Sequence, residues 1–210
     1  MRIAVVNEVS AGDRNGAILK ALEGRGHSVH NLGMADGQES PQLLYTHTGF
    51  ISALVLNLGL ADLVVGGCGT GVGYLNSVMQ FPGVTAAALH SPLDAWLFGQ
   101  INAGNCVSLA LNQGFGWAGD VNLGFIFDRL FSVEWGSGYP EHRREPQRAA
   151  RGVLAAMSSA AHRSFPDIIA ALPEEVVVPA LTFPRLWDFL ALDSRDLGEI
   201  GAALKLRLKG

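Results

Sequence analysis

Residues 64 to 75, VVGGCGTGVGYL, set one cysteine and one threonine into a ladder of glycines between an apolar run and a helix-like segment. Glycines let a backbone take positive φ and approach a bound molecule closely, and the helix that follows offers unpaired N–H groups and the positive end of its dipole. Such a place stabilises an anion. The thiolate of Cys68 is favoured by the same donors, which makes it a candidate base next to a site for developing negative charge. An inert buried thiol is the competing reading. Thr70 is either a donor to a ligand oxygen or a helix cap. A Walker loop would need Lys and then Ser or Thr where Val72, Gly73 and Tyr74 stand, and Val72 takes the place of the last glycine of a dinucleotide fingerprint counted from Gly67.

The elements that must position this loop follow from the alternation of short apolar runs with longer segments of helical period, the mark of a parallel sheet covered on both faces. Strands are expected at 2–7, 27–32, 61–67, 84–89 and 106–111, and helices at about 13–24, 41–59, 72–80, 91–102 and 118–131. The fold class is α/β, a doubly wound five-stranded parallel sheet. In the flavodoxin-like order 2-1-3-4-5 a ligand crevice opens between strands 1 and 3, beyond their carboxyl ends. Asn7 and Glu8 would stand on one side, and Cys68, Gly69, Thr70, Gly71 and Gly73 on the other. After Tyr139 the composition changes to an Ala-rich helix expected to start with Pro146 at its first position, then to apolar and aromatic stretches and a last helix from about 196. The expected division is 1–150 for the sheet domain and 151–210 for a helical extension, packed either on its own domain or on a partner subunit.

The chain has 210 residues, about half of them apolar, and a formal net charge of -4. That length buries a real core. The charge gives no broad positive field for nucleic acid or an anionic membrane, so a phosphate would have to be met by a local arginine cluster. Cys68 and Cys106 lack the number and spacing of a disulfide framework or a zinc site. The start, MRIAVVNEVS, does not read as a signal peptide, and Asn57 and Asp62 interrupt the most apolar region. A cytoplasmic protein is expected.

CGTGVG after a strand, an asparagine segment some thirty residues later and paired arginines near 144 resemble the B-type ribose-5-phosphate isomerases and the related galactose-6-phosphate isomerase subunits, over roughly residues 1–150. The resemblance implies a Rossmann-like domain that interconverts an aldose and a ketose phosphate through an enediolate, with no metal or organic cofactor. It implies that Cys68 moves the proton between C1 and C2, that Thr70 assists at the sugar oxygens and that the amides from Gly69 to Gly73 hold the enediolate oxygen. It assigns Asn102 to the sugar, and Arg144 with Arg148 to the phosphate, with Arg143 as a possible substitute; a solvated helix start is the plainer account of these arginines. The family's site is completed at a dimer interface, so a homodimer or higher homo-oligomer is expected.

Three positions depart from the family pattern: Glu8 replaces an aspartate, Val9 a histidine, and Ile101 the histidine credited with opening the furanose ring. Isoleucine cannot transfer a proton. A tetrose 4-phosphate, which cannot close a stable five-membered ring, would make that loss harmless. His47, His90 and His142 are weaker candidates for a replacement acid, Trp117 and Trp135 are expected to pack in the core or an interface, and Tyr74 either reaches the ligand or packs its helix. Two other readings remain, a non-catalytic phosphosugar sensor and a nucleotide-binding flavodoxin-like domain.

Overall fold

The computed structural model describes residues 1–208. Its centre is an all-parallel sheet of five strands, β1 (Arg2–Asn7), β2 (Ser28–Asn31), β3 (Leu63–Cys68), β4 (Ala86–Ala88) and β5 (Cys106–Ala110). The doubly wound fold is the expected one, but the order is β2-β1-β3-β5-β4, which reverses the last two strands. Burial accounts for the exchange. β5 is buried from Cys106 to Leu109 and takes an interior place against β3, whereas the three half-buried alanines of β4 suit an edge. The switch between β1 and β3 is unaffected.

Helices α1 (Asn15–Leu22), α4 (Pro92–Leu97) and α5 (Gly119–Leu130) cover one face, with Ile3, Val5, Val65 and Val107 beneath them. α2 (Tyr45–Asn57) and α3 (Val72–Val78) cover the other, over Ala4, Val6 and Val64. Several helices are shorter than expected because turns replace their ends. A 3-10 turn over Val9–Arg14 precedes α1, and a π turn over Phe98–Asn102 ends the segment that α4 begins. Ser91 caps α4 as its position before Pro92 suggests, its Oγ accepting from Asp94 N–H at 3.2 Å.

The remaining helices are α6 (Arg144–Ala161), α7 (Phe165–Ala171), α8 (Glu174–Leu181), α9 (Pro184–Leu190) and α10 (Gly198–Arg207). Pro146 is the third residue of α6, not its first, because a 3-10 turn over Glu141–Arg143 runs straight into the helix; proline is tolerated throughout a first turn. Residue 150, the expected division, falls inside α6, and residues 209 and 210 of the expected extension lie outside the described residues. α7 to α10 pack on this same chain. Phe165, Ile169, Val177, Leu181, Phe183, Leu186 and Leu204 join the core formed by α2, α3 and the sheet, and Phe165 meets both Phe50 and Phe81 at ring-centroid distances of 6.4 and 6.1 Å. Polar ties reinforce the seam: His47 Nδ1 accepts from Leu44 N–H while its Nε2 lies 2.8 Å from Glu175 O, and Arg185 holds the Glu39 carboxyl below the usual carboxylate range. His47 is thus structural. No helix among the described residues is long and apolar enough to cross a membrane.

A buried polar chain links α2, α3 and β5. Tyr74 Oη lies 2.7 Å from Ser52 Oγ and 3.3 Å from Cys106 Sγ, and burial pushes the Cys106 thiol up to about 12. Tyr74 is therefore a packing residue and does not reach a ligand.

Two outcomes are expected. Phe165→Ala should lower unfolding free energy by about 3–5 kcal/mol in urea titration, the cost of an aromatic lost from a packed core; a loss under 1 kcal/mol would mean that the C-terminal helices only rest on the sheet domain. The raised Cys106 value favours the neutral thiol in the folded state, so its stabilisation is complete below the unfolded value near 9 and is lost as pH rises from there toward about 12. The stability difference between wild type and Cys106→Ala should narrow by roughly 1 kcal/mol per pH unit above pH 9.

Candidate active site

Cys68 is not in the loop. It is the last residue of β3, and its carbonyl oxygen accepts from Leu111 N–H at 3.0 Å and from Gly71 N–H at 3.2 Å, so both the sheet and the turn hold its backbone. The thiol is nearly buried, with the residue 6 % exposed, and Sγ lies 3.9 Å from Thr70 Oγ1. Two glycines allow this placement. A Cβ on Gly66 would stand 2.1 Å from the Tyr74 ring, so only glycine lets α3 seat its tyrosine under the strand. Gly71, at φ 76°, caps α3 in the left-handed region, where a side chain would also meet the Leu109 carbonyl at 3.1 Å; Ser108 Oγ secures the turn by donating to Gly71 O at 2.7 Å.

The donors are fewer than the sequence suggests. Gly71 N–H is committed to Cys68 O, and Val72 N–H to Thr70 Oγ1 at 3.3 Å, so Thr70 serves as a cap while remaining near the thiol. Gly69 and Thr70 N–H have no partner among the described residues. Gly69 O accepts from Asn112 and Gln113 N–H at 3.0 and 2.8 Å, which fixes the peptide that follows Cys68. In its thiolate form the nearly buried Cys68 sulfur, next to these two N–H groups, can remove a proton while the N–H groups support the negative charge left on an adjacent oxygen.

Across the crevice, Glu8 is 5 % exposed and bonded to Ser10 Oγ. Asn7 is fully buried, and neither polar atom of its side-chain amide has a partner among the described residues. The two differ in direction. Strand alternation sends the Asn7 side chain to the face of Ile3 and Val5, and places Cys68 on the face of Val64 and Tyr74, so Asn7 and Cys68 share the strand ends without sharing a layer. Three residues absent from the sequence reading line the same place. Ser10 Oγ would lie 3.3 Å from a Cβ on Gly69, Asn112 Nδ2 donates to Ser10 O at 2.7 Å, and the half-exposed Tyr45 ring covers Gly73, 3.2 Å from where its Cβ would be.

Asn102, Arg144 and Arg148 are elsewhere. Arg144 Nε donates to Ser137 O at 2.7 Å, and Arg151, which no sequence signal singles out, donates to Ile101 O at 2.8 Å and Gly136 O at 3.0 Å. With Trp135, these three arginines border a cleft of about 290 Å³, and the exposed Asn102 ends the adjoining π turn. Arg148 is largely solvated, 3.7 Å from Glu145. This cluster precedes Cys106 at the start of β5, whereas Cys68 is level with Ala110 at its end, roughly 13 Å further along the strand. One chain does not bring the thiol and the arginines to one small ligand. Trp135 packs edge-on against Phe98, Trp117 is fully exposed on this chain and so is not in its core, and His90 and His142 are exposed.

A family model described as Ribose/Galactose Isomerase matches residues 3–120. No curated protein sequence matches the chain. Among solved structures, a 4-deoxy-L-threo-5-hexosulose-uronate ketol-isomerase complexed with a tartrate is 33% identical, with both chains covered in full and a TM-score of 0.93. A ribose-5-phosphate isomerase from Vibrio parahaemolyticus is 34% identical over 100% of this chain and 98% of its own, with a TM-score of 0.91. The ribose-5-phosphate isomerase B of Clostridium thermocellum, 20% identical over 77% of this chain and 100% of its own at a TM-score of 0.65, shares the fold. The family match covers more than half the chain, including the glycine loop and both flanking strands, and the chain belongs to the ribose/galactose isomerase family.

Proposed function

We propose that the protein is an aldose–ketose isomerase for a small anionic sugar, with Cys68 as the base that carries the proton between C1 and C2. The observation that carries this reading is the thiol at the end of β3 followed at once by the free N–H groups of Gly69 and Thr70. Proton removal next to a carbonyl leaves charge on oxygen, and donors fixed in advance stabilise that charge without reorganising. Returning the proton to the neighbouring carbon completes the isomerisation.

Arg144, Arg148 and Asn102 would hold the anionic end of the substrate, the arginines through their planar forks. They lie beyond the opposite end of β5 from Cys68, so a second copy of the chain must bring its arginines to this thiol. Helix α6 suits that role. It carries Arg144 and Arg148 in its first turns, has no buried residue along its 18 positions, and exposes Val153 together with Leu154 and Met157, the latter two beside Met79 of the segment after α3. Apolar side chains left open in one chain are the surface that a homodimer would cover.

Ile101 narrows the substrate to one that needs no ring opening. A ribose 5-phosphate type of substrate closes a furanose; a tetrose 4-phosphate does not. The structural relative named for a 4-deoxy-5-hexosulose uronate favours a second open-chain anion, since such a compound lacks the C4 and C5 hydroxyls that close five- and six-membered rings on C1. Both are small and acidic, and both fit an arginine-bordered cleft.

Deuterium uptake from solvent into four-, five- and six-carbon sugar phosphates and a 4-deoxy-5-keto uronate tests this reading. Exchange is expected with an open-chain anion, with Cys68→Ala reducing it at least about 100-fold. Binding without exchange would indicate a sensor, and stabilisation by a nucleotide alone would favour the nucleotide-binding reading. For assembly, Cys68→Ala and the double variant Arg144→Ala/Arg148→Ala should each be inactive, and mixed after dissociation and reassociation should recover about a quarter of wild-type activity through hybrid dimers. No recovery would assign the thiol and arginines to one chain.

A further inference from the structure

An aldose–ketose exchange moves two protons, one between carbons and one between oxygens. Cys68 accounts for the first. The second must leave the hydroxyl on C2 and reach the oxygen on C1, and the residue that carries it must meet the enediolate beside the Gly69 and Thr70 N–H groups. Thr70 Oγ1 already accepts from Val72 N–H, and the base beside its hydroxyl is the Cys68 sulfur at 3.9 Å, which is occupied with the carbon-bound proton. Ser10 differs. The residue is exposed, and its hydroxyl would be 3.3 Å from a Cβ on Gly69 and is bonded to Glu8, a carboxylate 5 % exposed that forms no ion pair among the described residues. Asn112 Nδ2, donating to Ser10 O at 2.7 Å, ties this turn to the loop after β5, and that loop in turn binds Gly69 O.

We propose that Ser10 is a further catalytic residue, and that with Glu8 it carries the proton between the two enediolate oxygens. This rests on the isomerase reading above. When Cys68 has taken the proton from C2, the oxygen on C1 is anionic and the oxygen on C2 still bears hydrogen. The Ser10 hydroxyl turns from Glu8 to the oxygen on C1, its O–H bond breaks as the proton passes there, Ser10 Oγ takes the proton of the C2 hydroxyl, and the renewed O–H turns back to Glu8. C2 becomes a carbonyl, the thiol returns its proton to C1, and Cys68, Ser10 and Glu8 end as they began, with no co-reactant consumed. A buried carboxylate makes the serine oxygen a better proton acceptor, which a solvated serine lacks.

The test starts from the aldose in deuterated water and compares two rates: deuterium entering C2 of unreacted aldose, and ketose formed. In Ser10→Ala the thiol still removes and returns the carbon-bound proton, while the oxygen-to-oxygen transfer falls to water, so the ratio of exchange to isomerisation should rise at least about tenfold above wild type. Glu8→Gln should move the ratio in the same direction, and Ser10→Thr should restore it toward wild type. Ser10 is exposed, so its truncation leaves the core intact, and an unchanged urea midpoint checks this. An unchanged ratio in Ser10→Ala, whether both rates hold or both fall together, overturns the relay alone. Absence of exchange by the wild-type protein on every anionic sugar tested overturns the isomerase reading, and the relay with it.

Discussion

The close approach of α3 to β3 is the constraint from which the candidate site follows. Gly66 leaves the strand bare where the Tyr74 ring lies, and the tyrosine hydroxyl is held between Ser52 and Cys106 in the core. With the helix seated there, the turn between strand and helix has to reverse within a few residues. Gly71 takes the left-handed conformation that reversal requires, and the amides of Gly69 and Thr70 are left without an acceptor among the described residues. A larger residue at 66 would lift α3 and tilt those amides. The glycine turn is thus shaped by packing behind it.

The two cysteines show how the same side chain is given different fates by depth and neighbours. Cys106, wholly buried in the core with the Tyr74 hydroxyl against its sulfur, is held neutral and acts as a small packing group. Cys68 ends its strand at the mouth of the β1–β3 switch, where parallel sheets open toward ligands. Between them runs the length of β5, and that length also separates the thiol from the arginine cleft. The fold sets the thiol at one end of the sheet and the arginine-bordered cleft at the other.

Much of this was legible in the residues. The glycine ladder around Cys68, the five apolar runs and the Ser91–Pro92 helix start are local signals, and each element stands close to where the pattern puts it. Strand order was less legible, because AAA and CVSLA both suit a parallel strand and only the competition for buried places ranks them. The packing of α7 to α10 on α2 depends on contacts between residues more than a hundred positions apart, such as His47 with Glu175, and no periodicity encodes those. The separation of Asn102 from Cys68 did carry a signal: Asn102 precedes its strand and Cys68 ends one, and in a parallel sheet these are opposite edges. Ser10 and Asn112 follow β1 and β5 and so belong to the thiol's edge by the same rule, although nothing in their types announced it.

Cys68 belongs to the sheet and not to a mobile loop, with its carbonyl gripped from two directions. Segments that open on their own are those with few buried contacts and solvent-exposed backbone bonds, and this one has neither. Warming should therefore leave the sulfur in place until the whole scaffold melts, so that heat inactivation and global unfolding follow a single curve.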